Sequence, residues 1–221
     1  MAEKDLEPDY EREERLGFPE VIFAPGKDNT QLREASEALY ACHKTILVTR
    51  VTEKQAQVIQ DAIPEAVYNE KGHLVYVVPE ESRASRSGGR TLVITAGTSD
   101  VPVGEEAACT AEVTGQEVER LYDVGVAGLH RILNAREKLE AADVIIVVAG
   151  MEGALPSVVG GLIDRPVIAV PTSVGYGTAF NGVTPLLGML NSCAPGVTVV
   201  NVDNGFGAAF AANRILRSLN R

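Results

Sequence analysis

The stretch ADVIIVVAGMEGALP, residues 142–156, predicts the fold of the larger part of this chain. Its six consecutive apolar residues, 144–149, indicate a strand that is covered on both faces, as in a parallel sheet. A glycine-containing loop follows the strand at once and leads into a helical segment. In open α/β sheets, ligands bind beside such loops, outside the carboxyl ends of the strands. The stretch therefore predicts both a doubly wound sheet and the edge of that sheet where a ligand binds.

Three further strand-like stretches in the same half of the chain end in a glycine-rich loop. TLVITA runs into GTSD (97–100), PVIAVP into TSVGYG (172–177), and VTVVNV into DNGFGAA (203–209). Between and after the strands, helical spacing of apolar residues predicts helices over about 103–118, 128–140, 155–163, 184–190 and 208–219. This alternation predicts an α/β fold for residues 85–221, a three-layer doubly wound parallel sheet of flavodoxin-like or Rossmann-like type.

The first 79 residues predict a smaller α/β unit. PEVIFAPG (19–26), TILVTR (45–50) and HLVYVVP (73–79) are typical of strands. Asp28 or Asn29 caps the first predicted helix between them, and Thr52 caps the second. We therefore expect a βαβαβ domain over residues 1–84, preceded by a charged arm and joined by the polar linker EESRASRSGGR (80–90).

Composition excludes several classes of protein. The net charge of −10 argues against a nucleic-acid partner, which would favour a basic face. No apolar run approaches the roughly 20 residues of a membrane span, and the charged N-terminus lacks a signal core. Three widely spaced cysteines without a CxxC pair argue against a disulfide framework and a zinc site. We expect a cytoplasmic protein with a small-molecule ligand and neither a nucleic-acid nor a membrane partner.

The glycine loops favour an anionic ligand of unspecified class. Glycines let backbone N–H groups approach an anion, and the following helix N-terminus adds positive potential. No loop matches the GxGxxG dinucleotide fingerprint with its acidic residue, and none matches the GxxxxGK[ST] phosphate loop. Four such loops on one predicted edge favour a binding site over simple chain turns.

Long motifs resemble the nickel-pincer cofactor biosynthesis family LarB. They are GFPEVIFAPGKD, DVGVAGLHRIL, GTSD, AGMEGALPSVVGGLIDRPVIAVPTSVGYG and NSCAPGVTVVNVDNGFGAA. The resemblance spans nearly the whole chain, from about Asp9 to the C-terminus. The second half also resembles the PurE type of aminoimidazole ribonucleotide carboxylase and mutase. That family carries a catalytic histidine at the position of Ala154, so this departure argues against purine-type carboxylate transfer.

The resemblance implies an enzyme that acts on nicotinic acid adenine dinucleotide. It implies carboxylation of C5 of the pyridinium ring by CO2 or bicarbonate, and hydrolysis of the phosphoanhydride with release of AMP. The implied product is pyridinium-3,5-biscarboxylic acid mononucleotide, formed in the first step of nickel-pincer nucleotide biosynthesis.

Two residues are the candidates for this chemistry. An electron-poor ring cannot attack CO2 until a soft nucleophile adds to it, and a thiolate is suited to this task. Cys193 is the candidate nucleophile and Glu152 the candidate base for the C5 proton. From the residues alone, Cys193 could equally be packed in a turn, and Glu152 could be a solvated loop carboxylate. Cys42 and Cys109 are expected to be small buried hydrophobes in helices.

The remaining candidates are ligands for the substrate or for a metal ion. His130 and Arg131 are expected to contact its phosphates or carboxylate, or else to cap an exposed helix, while Ser99 and Asp100 bind phosphate or ribose or act as an N-cap. The full set of predicted substrate-binding residues is Gly97, Thr98, Ser99, Asp100, His130, Arg131, Gly150, Met151, Gly153, Ser173, Gly175, Asp203, Asn204 and Gly205. Phosphoanhydride hydrolysis suggests a divalent cation such as Mg²⁺, with Asp100, Asp123 and Asp203 as possible ligands.

The position of Cys193 in the chain suggests a shared site. Cys193 precedes its strand, whereas the glycine loops follow theirs, so the two lie roughly 17–20 Å apart, one strand length. We therefore expect a homo-oligomer, an octamer as the PurE type implies, with active sites at subunit interfaces. The alternatives are a purine-type carboxylase or mutase and a non-catalytic nucleotide-binding module.

Overall fold

The computed structural model describes residues 6–79 and 88–219. The chain divides into two units at Ser85 and Arg86, and the described part of each is compact. The predicted boundary between residues 84 and 85 and most of the predicted linker lie outside the described residues. Within the described residues, no helix is long and apolar enough to cross a membrane.

The first unit contains a mixed four-stranded sheet in the order β1-β2-β4-β3. Its elements are α1 (Arg12–Leu16), β1 (Ile22–Phe23), α2 (Asn29–His43), β2 (Ile46–Thr49), α3 (Glu53–Ala62), β3 (Val67–Asn69) and β4 (Leu74–Val77). Capping boxes begin the two long helices: Asp28 pairs with Gln31 at α2, and Thr52 pairs with Gln55 at α3. These caps confirm both predicted helix starts. They could be predicted from the sequence because each capping box joins residues only three positions apart.

The structure of this unit has one strand, β3, that the predicted βαβαβ pattern does not include. The three-residue β3 pairs with β4 in an antiparallel hairpin, and β4 also pairs antiparallel with β2. Asn69 Oδ1 accepts a hydrogen bond from Gly72 N–H at 2.8 Å in the hairpin turn, and His73 has a φ of 53°. The turn reverses the chain, so the last strand runs opposite to the direction that a repeated βαβ pattern implies.

The second unit has a five-stranded, all-parallel sheet in the order β6-β5-β7-β8-β9, which confirms the predicted fold class. Its strands are β5 (Arg90–Thr95), β6 (Glu117–Leu121), β7 (Val144–Ala149), β8 (Val167–Pro171) and β9 (Val197–Val199). Its helices are α4 (Val101–Val113), α5 (Leu129–Leu133), α6 (Arg136–Ala141), α7 (Leu155–Gly160), α8 (Val183–Leu190) and α9 (Gly205–Leu219).

Helices cover both faces of this sheet. Residues of α4 and α9 pack on one face, against Val93, Ile146 and Ile168. Residues of α5 to α8 pack on the other face, against strand residues such as Ile145 and Val147. All six residues of β7 are buried, as the unbroken apolar run predicts.

Two predictions in this unit are wrong in detail. The helix predicted over about 103–118 ends at Val113, and its last residues belong to β6, a strand that the sequence did not reveal. β6 is an edge strand in which Glu117 is exposed and the other four residues are half-buried. Charged and apolar side chains mix in it, so it lacks the continuous apolar run of its neighbours. The helix predicted over 128–140 is two helices, α5 and α6, separated at Asn134 and Ala135.

Candidate active site

A pocket of about 280 Å³ lies at the carboxyl ends of the parallel strands. It lies beside β5 and β7, where the strand order reverses and open α/β sheets bind ligands. The loops after β5, β6, β7 and β8 all contribute to it. Its lining residues are Ala96, Gly97, Ser99, Asp100, Gly125, Val126, Ala127, Arg131, Ala149, Gly150, Met151, Glu152, Ala154, Leu155 and Val174.

Asp100 joins the loop after β5 to the loop after β8. Its Oδ2 accepts a hydrogen bond from Gly97 N–H at 2.9 Å, and its Oδ1 accepts one from Thr172 Oγ1 at 2.7 Å. The carboxyl is only 4% exposed, and this burial raises its pKa, with a smaller contribution in the same direction from Asp203. Hydrogen bonds from Thr172, Gly97 and Gly150 oppose the rise in pKa without cancelling it. Asp100 therefore holds two loops together on the pocket lining.

The loop after β7 is held against the loop after β8. Met151 has a φ of 53° and donates its N–H to Val174 O at 3.0 Å. A Cβ at Gly150 would lie 2.3 Å from the same carbonyl oxygen, so this position requires glycine. Gly153 has a φ of +69° and packs against Pro185. The loop thereby presents the exposed Glu152 on the pocket lining.

Arg131 is the cationic side chain of the lining. Its Nη1 lies 3.1 Å from Asp123 Oδ2 and also donates to Asp123 O. A Cβ at Gly128 would lie 2.6 Å from Arg131 Nε, so the absence of a side chain there gives the guanidinium its place. The neighbouring His130 is exposed and does not line the pocket. The structure thus separates two adjacent residues that the sequence grouped together.

The loop after β9 is closed by the chain's own groups. Asp203 Oδ1 accepts a hydrogen bond from Ser173 N–H at 2.8 Å, and Asn204 Oδ1 accepts one from Gly207 N–H at 2.8 Å. Phe206 N–H, in the first turn of α9, donates to Glu106 Oε2 at 3.2 Å. A carboxylate already lies at this helix N-terminus, and it offsets the positive potential that the loop was expected to offer to an anionic ligand.

Several predicted substrate-binding residues are absent from the described lining of the pocket. They are Thr98, His130, Gly153, Ser173, Gly175, Asp203, Asn204 and Gly205. Gly153 and Gly175 shape the loops instead, because a Cβ on Gly175 would lie 2.6 Å from Ala179 Cβ. The pocket brings together the other six: Gly97, Ser99, Asp100, Arg131, Gly150 and Met151.

Cys193 is exposed and lies outside the described lining, in the turn between α8 and β9. The expected separation of a strand length from the glycine loops stays a prediction, but a contact links this turn to α7, the helix that follows the Glu152 loop. Ser192 Oγ lies 2.7 Å from Ser157 Oγ. Ser157 lies two residues into α7, about 3 Å along the helix axis at 1.5 Å per residue. Cys193 therefore neighbours the first turn of the helix that follows Glu152.

The other two cysteines differ from each other. Cys109 is buried in α4, as expected. Cys42 is exposed in α2, which corrects the expectation that it is buried. The buried residues of α2 are Leu32, Ala35, Ser36 and Leu39, and Cys42 is not among them.

The three predicted metal ligands do not form a metal site. Among residues 6–79 and 88–219, no group of three or more His, Cys, Asp and Glu side chains could hold a metal ion. Asp100 accepts hydrogen bonds at both carboxylate oxygens, Asp123 pairs with Arg131, and Asp203 binds a backbone N–H group. These carboxylates therefore do not fit a divalent cation.

Sequence reasoning missed two parts of the site. Gly125, Val126 and Ala127 line the pocket from the loop after β6, and they were missed because β6 itself was missed. Thr172 is fully buried and holds Asp100, although only later residues of its loop were named. As the first polar residue after a buried strand at the binding edge, Thr172 had a signal that could have identified it.

Two family models match the chain and together span nearly all of it. The LarB/PurE-like N-terminal domain matches residues 4–79, and the AIR carboxylase domain matches residues 90–221. The boundary between the two matches falls close to the division between the two structural units.

Similar proteins include archaeal relatives of two kinds. An uncharacterised protein of Methanocaldococcus jannaschii is 40% identical over 99% of this chain and 87% of its own length. The N5-carboxyaminoimidazole ribonucleotide mutase of the same organism is 34% identical over 56% of this chain and 76% of its own length. A probable mutase of that kind from Methanothermobacter thermautotrophicus is 31% identical over 58% of this chain and 38% of its own length.

Proposed function

The chain belongs to the LarB family of PurE-like carboxylases, and from this premise we propose that it carboxylates nicotinic acid adenine dinucleotide at C5 of the pyridinium ring and releases AMP. The observation that carries the proposal is the composition of the pocket lining. Glu152 and Ala154 both lie on it. The resemblance to the purine enzymes implies that Ala154 stands where those enzymes carry a histidine. A pocket with a carboxylate and no histidine suits proton removal from a ring carbon.

Cys193 supplies the nucleophile in this proposal. Its thiolate adds to C4 of the ring, and the ring nitrogen takes up the displaced electron pair. C5 is then nucleophilic, attacks CO2 and forms the new carbon–carbon bond. Soft thiolates suit such additions because they attack well and also leave readily.

Glu152 completes the exchange at C5. Its carboxylate takes the C5 proton, and the electron pair of that C–H bond restores the enamine. The ring then expels the thiolate from C4, which regenerates the aromatic pyridinium. The net change replaces the C5 proton by a carboxylate without oxidation or reduction.

The rest of the lining is proposed to bind the substrate. Ser99 and Asp100 contact the ribose or phosphate of the nicotinate half, and Arg131 pairs with a phosphate or with the ring carboxylate. A volume of about 280 Å³ lies near the lower end of small-molecule sites, roughly 300–1,000 Å³, so it suits one half of a dinucleotide. The predicted carboxylates do not fit a divalent cation, so the proposed phosphoanhydride hydrolysis includes no metal-dependent step.

We also propose that the chain forms a homo-oligomer, with an octamer as the expected size. Apolar side chains at Val183, Leu187 and Leu190 are exposed along one side of α8, and the exposed Phe180 precedes them. Contiguous exposed apolar surface of this kind marks protein contacts. Light scattering measures the size, and a monomer in solution contradicts this proposal.

Mixing two inactive variants tests whether Cys193 serves a neighbouring subunit. Cys193→Ala and Glu152→Gln each lack one of the proposed groups. Subunit exchange between them restores activity if the two groups come from different subunits, whereas no activity returns if both come from one chain.

Incubation with nicotinic acid adenine dinucleotide and labelled bicarbonate tests the reaction itself. We expect label in a pyridinium mononucleotide together with released AMP. Cys193→Ala should abolish incorporation of label into the mononucleotide at every time point. Cys42→Ala, which removes another exposed thiol, should leave the rate of incorporation unchanged. Binding of the dinucleotide without turnover supports the non-catalytic module instead.

A purine-type mutase is the second candidate, favoured by the similarity of the second unit to the archaeal mutases. Ala154 on the pocket lining argues against it, because a methyl group cannot transfer a proton. Conversion of N5-carboxyaminoimidazole ribonucleotide by the purified protein would support this candidate over the first.

A further inference from the structure

Ser157 and Ser192 link the two segments that carry the proposed catalytic residues. Their Oγ atoms lie 2.7 Å apart, although the two residues are 35 positions apart in the chain. Ser157 lies in the first turn of α7, directly after the Glu152 loop, and Ser192 immediately precedes Cys193. Ser192 Oγ also accepts a hydrogen bond from Ala194 N–H at 3.2 Å, on the other side of Cys193.

Close backbone packing surrounds this hydroxyl pair. A Cβ at Gly188 of α8 would lie 2.8 Å from Glu152 O, so α8 lies directly against the backbone of the Glu152 loop. A Cβ at Gly160, the last residue of α7, would lie 3.2 Å from Ala194 Cβ. The turn that holds Cys193 therefore packs against the last residue of α7. The turn also follows α8, and α8 packs against the backbone of the Glu152 loop.

We propose that the Ser157–Ser192 hydrogen bond is a positioning contact that fixes the Cys193 turn relative to the Glu152 loop. This inference rests on the proposed function, in which these two residues carry the chemistry. Neither serine lines the described part of the pocket, so each acts through its neighbour rather than on the substrate.

Backbone hydrogen bonds tie the turn to α8 and to β8, since Ser192 N–H donates to Met189 O and Val167 N–H donates to Gly196 O, each at 3.2 Å. The hydroxyl pair adds a side-chain contact with α7. Asn191, Cys193, Pro195 and Gly196 are all exposed, and β9 is only three residues long. A nucleophile must approach a ring carbon within a narrow range of distance and angle. Misplacing it by about 1 Å costs on the order of 10²-fold in rate, so a hydroxyl pair that steadies the turn has a direct effect on catalysis.

The kinetic test uses three variants at the pair and one control. Ser157→Ala and Ser192→Ala should each lower kcat of carboxylation by about tenfold or more, with little change in KM, because positioning and not binding is lost. The double variant should lose no more than the single variants, since all remove one hydrogen bond. Ser157→Thr keeps a hydroxyl and should recover most of kcat.

The matched control is Ser218→Ala. It removes a serine hydroxyl that bonds Ile215 O at 2.7 Å on α9, across the sheet from α7. Wild-type kcat in Ser157→Ala overturns the proposal. So does a double variant whose loss is the product of the two single losses, or a Ser157→Thr variant as impaired as Ser157→Ala.

A second measurement does not depend on activity. Alkylation of native protein by iodoacetamide, resolved by peptide mass, gives the rate at Cys193 relative to the exposed Cys42. Ser157→Ala should raise this ratio by about threefold or more as the turn loosens, while Ser157→Thr and Ser218→Ala should not. If the wild type shows no carboxylation, the proposed function fails but this ratio still tests the contact. An unchanged ratio in Ser157→Ala overturns it.

Discussion

The loops after β7 and after β9 are similar in sequence and different in use. GMEG and DNGFG each contain two glycines, and each leads from a strand to a helix. The first loop places Gly150, Met151 and Glu152 on the pocket lining. The second leads into a helix whose N-terminus meets Glu106, a side chain from 100 residues earlier in the chain. A glycine-rich loop thus predicts a turn at the sheet edge, but not whether the space in front of it is open.

The largest expected effect on activity comes from a substitution in the loop after β7. Glu152→Gln keeps the size of the side chain and removes the base, so kcat of carboxylation should fall on the order of 10²–10⁴-fold. Label incorporation from bicarbonate measures this change. Glu137→Gln, an exposed carboxylate on α6, is the matched control and should retain full activity. Activity of Glu152→Gln within a factor of two of wild type would falsify the assignment of the base.

Substituting alanine for one glycine in each of the two loops distinguishes a loop that forms the site from a loop that only supports the fold. A Cβ at Gly150 would meet Val174 O at 2.3 Å, and a Cβ at Gly205 would meet Val103 O at 2.4 Å. Both substitutions should cost about 1–3 kcal/mol in the free energy of unfolding, because backbone atoms must move. Only Gly150→Ala should also lower kcat/KM of the folded fraction.

Urea unfolding and steady-state kinetics together measure these two effects. Gly161→Ala is the control, since a Cβ there has no neighbour closer than 3.4 Å. Equal losses of kcat/KM in Gly150→Ala and Gly205→Ala would show that the two loops do not differ as we describe.

A substitution of Asp123 tests whether Arg131 binds the substrate. Asp123→Asn removes the charge that holds the Arg131 guanidinium, so KM for the dinucleotide should rise by about tenfold, equivalent to roughly 1.4 kcal/mol. Initial rates over a range of substrate concentrations measure this. Glu140→Gln breaks a comparable ion pair with Arg136 on the exposed face of α6 and should leave KM unchanged. An unchanged KM in Asp123→Asn contradicts the binding role of Arg131.

A substitution of Glu106 tests the role of the loop after β9. Glu106→Gln removes a negative charge from the N-terminus of α9 and should lower the free energy of unfolding by about 1 kcal/mol. Because this helix end is not part of the pocket lining, KM and kcat should stay within a factor of two of wild type. A KM that changes severalfold would mean that the loop after β9 does meet the substrate.

The smallest effect is the pH dependence of stability at Asp100. Burial raises the pKa of this carboxyl, so the folded chain binds its proton more readily than the unfolded chain does. The contribution of Asp100 is therefore fully present below the unfolded pKa, about 3.9, and is lost as pH rises through the higher folded pKa. Asp100→Asn lacks this titration.

Unfolding in urea from about pH 3 to pH 7 measures the difference between wild type and Asp100→Asn. Wild type should lose stability relative to the variant as pH rises. Asp164→Asn, at a side chain that is 91% exposed, should show no such trend. A difference that grows in favour of wild type with rising pH contradicts the raised pKa.

Local patterns predicted most of the fold and about half of the site. Continuous apolar runs located β5, β7 and β8, and glycines after two of these strands located much of the pocket lining. The edge strand β6 escaped, because one side of it has no strand partner and most of its side chains are half-buried. The pocket wall formed by Gly125 and Ala127 was lost with it.

The sequence by itself determined the apolar strands β5, β7 and β8 and the helix caps at Asp28 and Thr52, because these depend on neighbours within a few residues. Only the tertiary structure decided which helix end Glu106 occupies and how Ser157 meets Ser192. Those contacts join residues 100 and 35 positions apart. Nothing in the local pattern specifies such pairs, since they form only when the packed helices bring distant segments together.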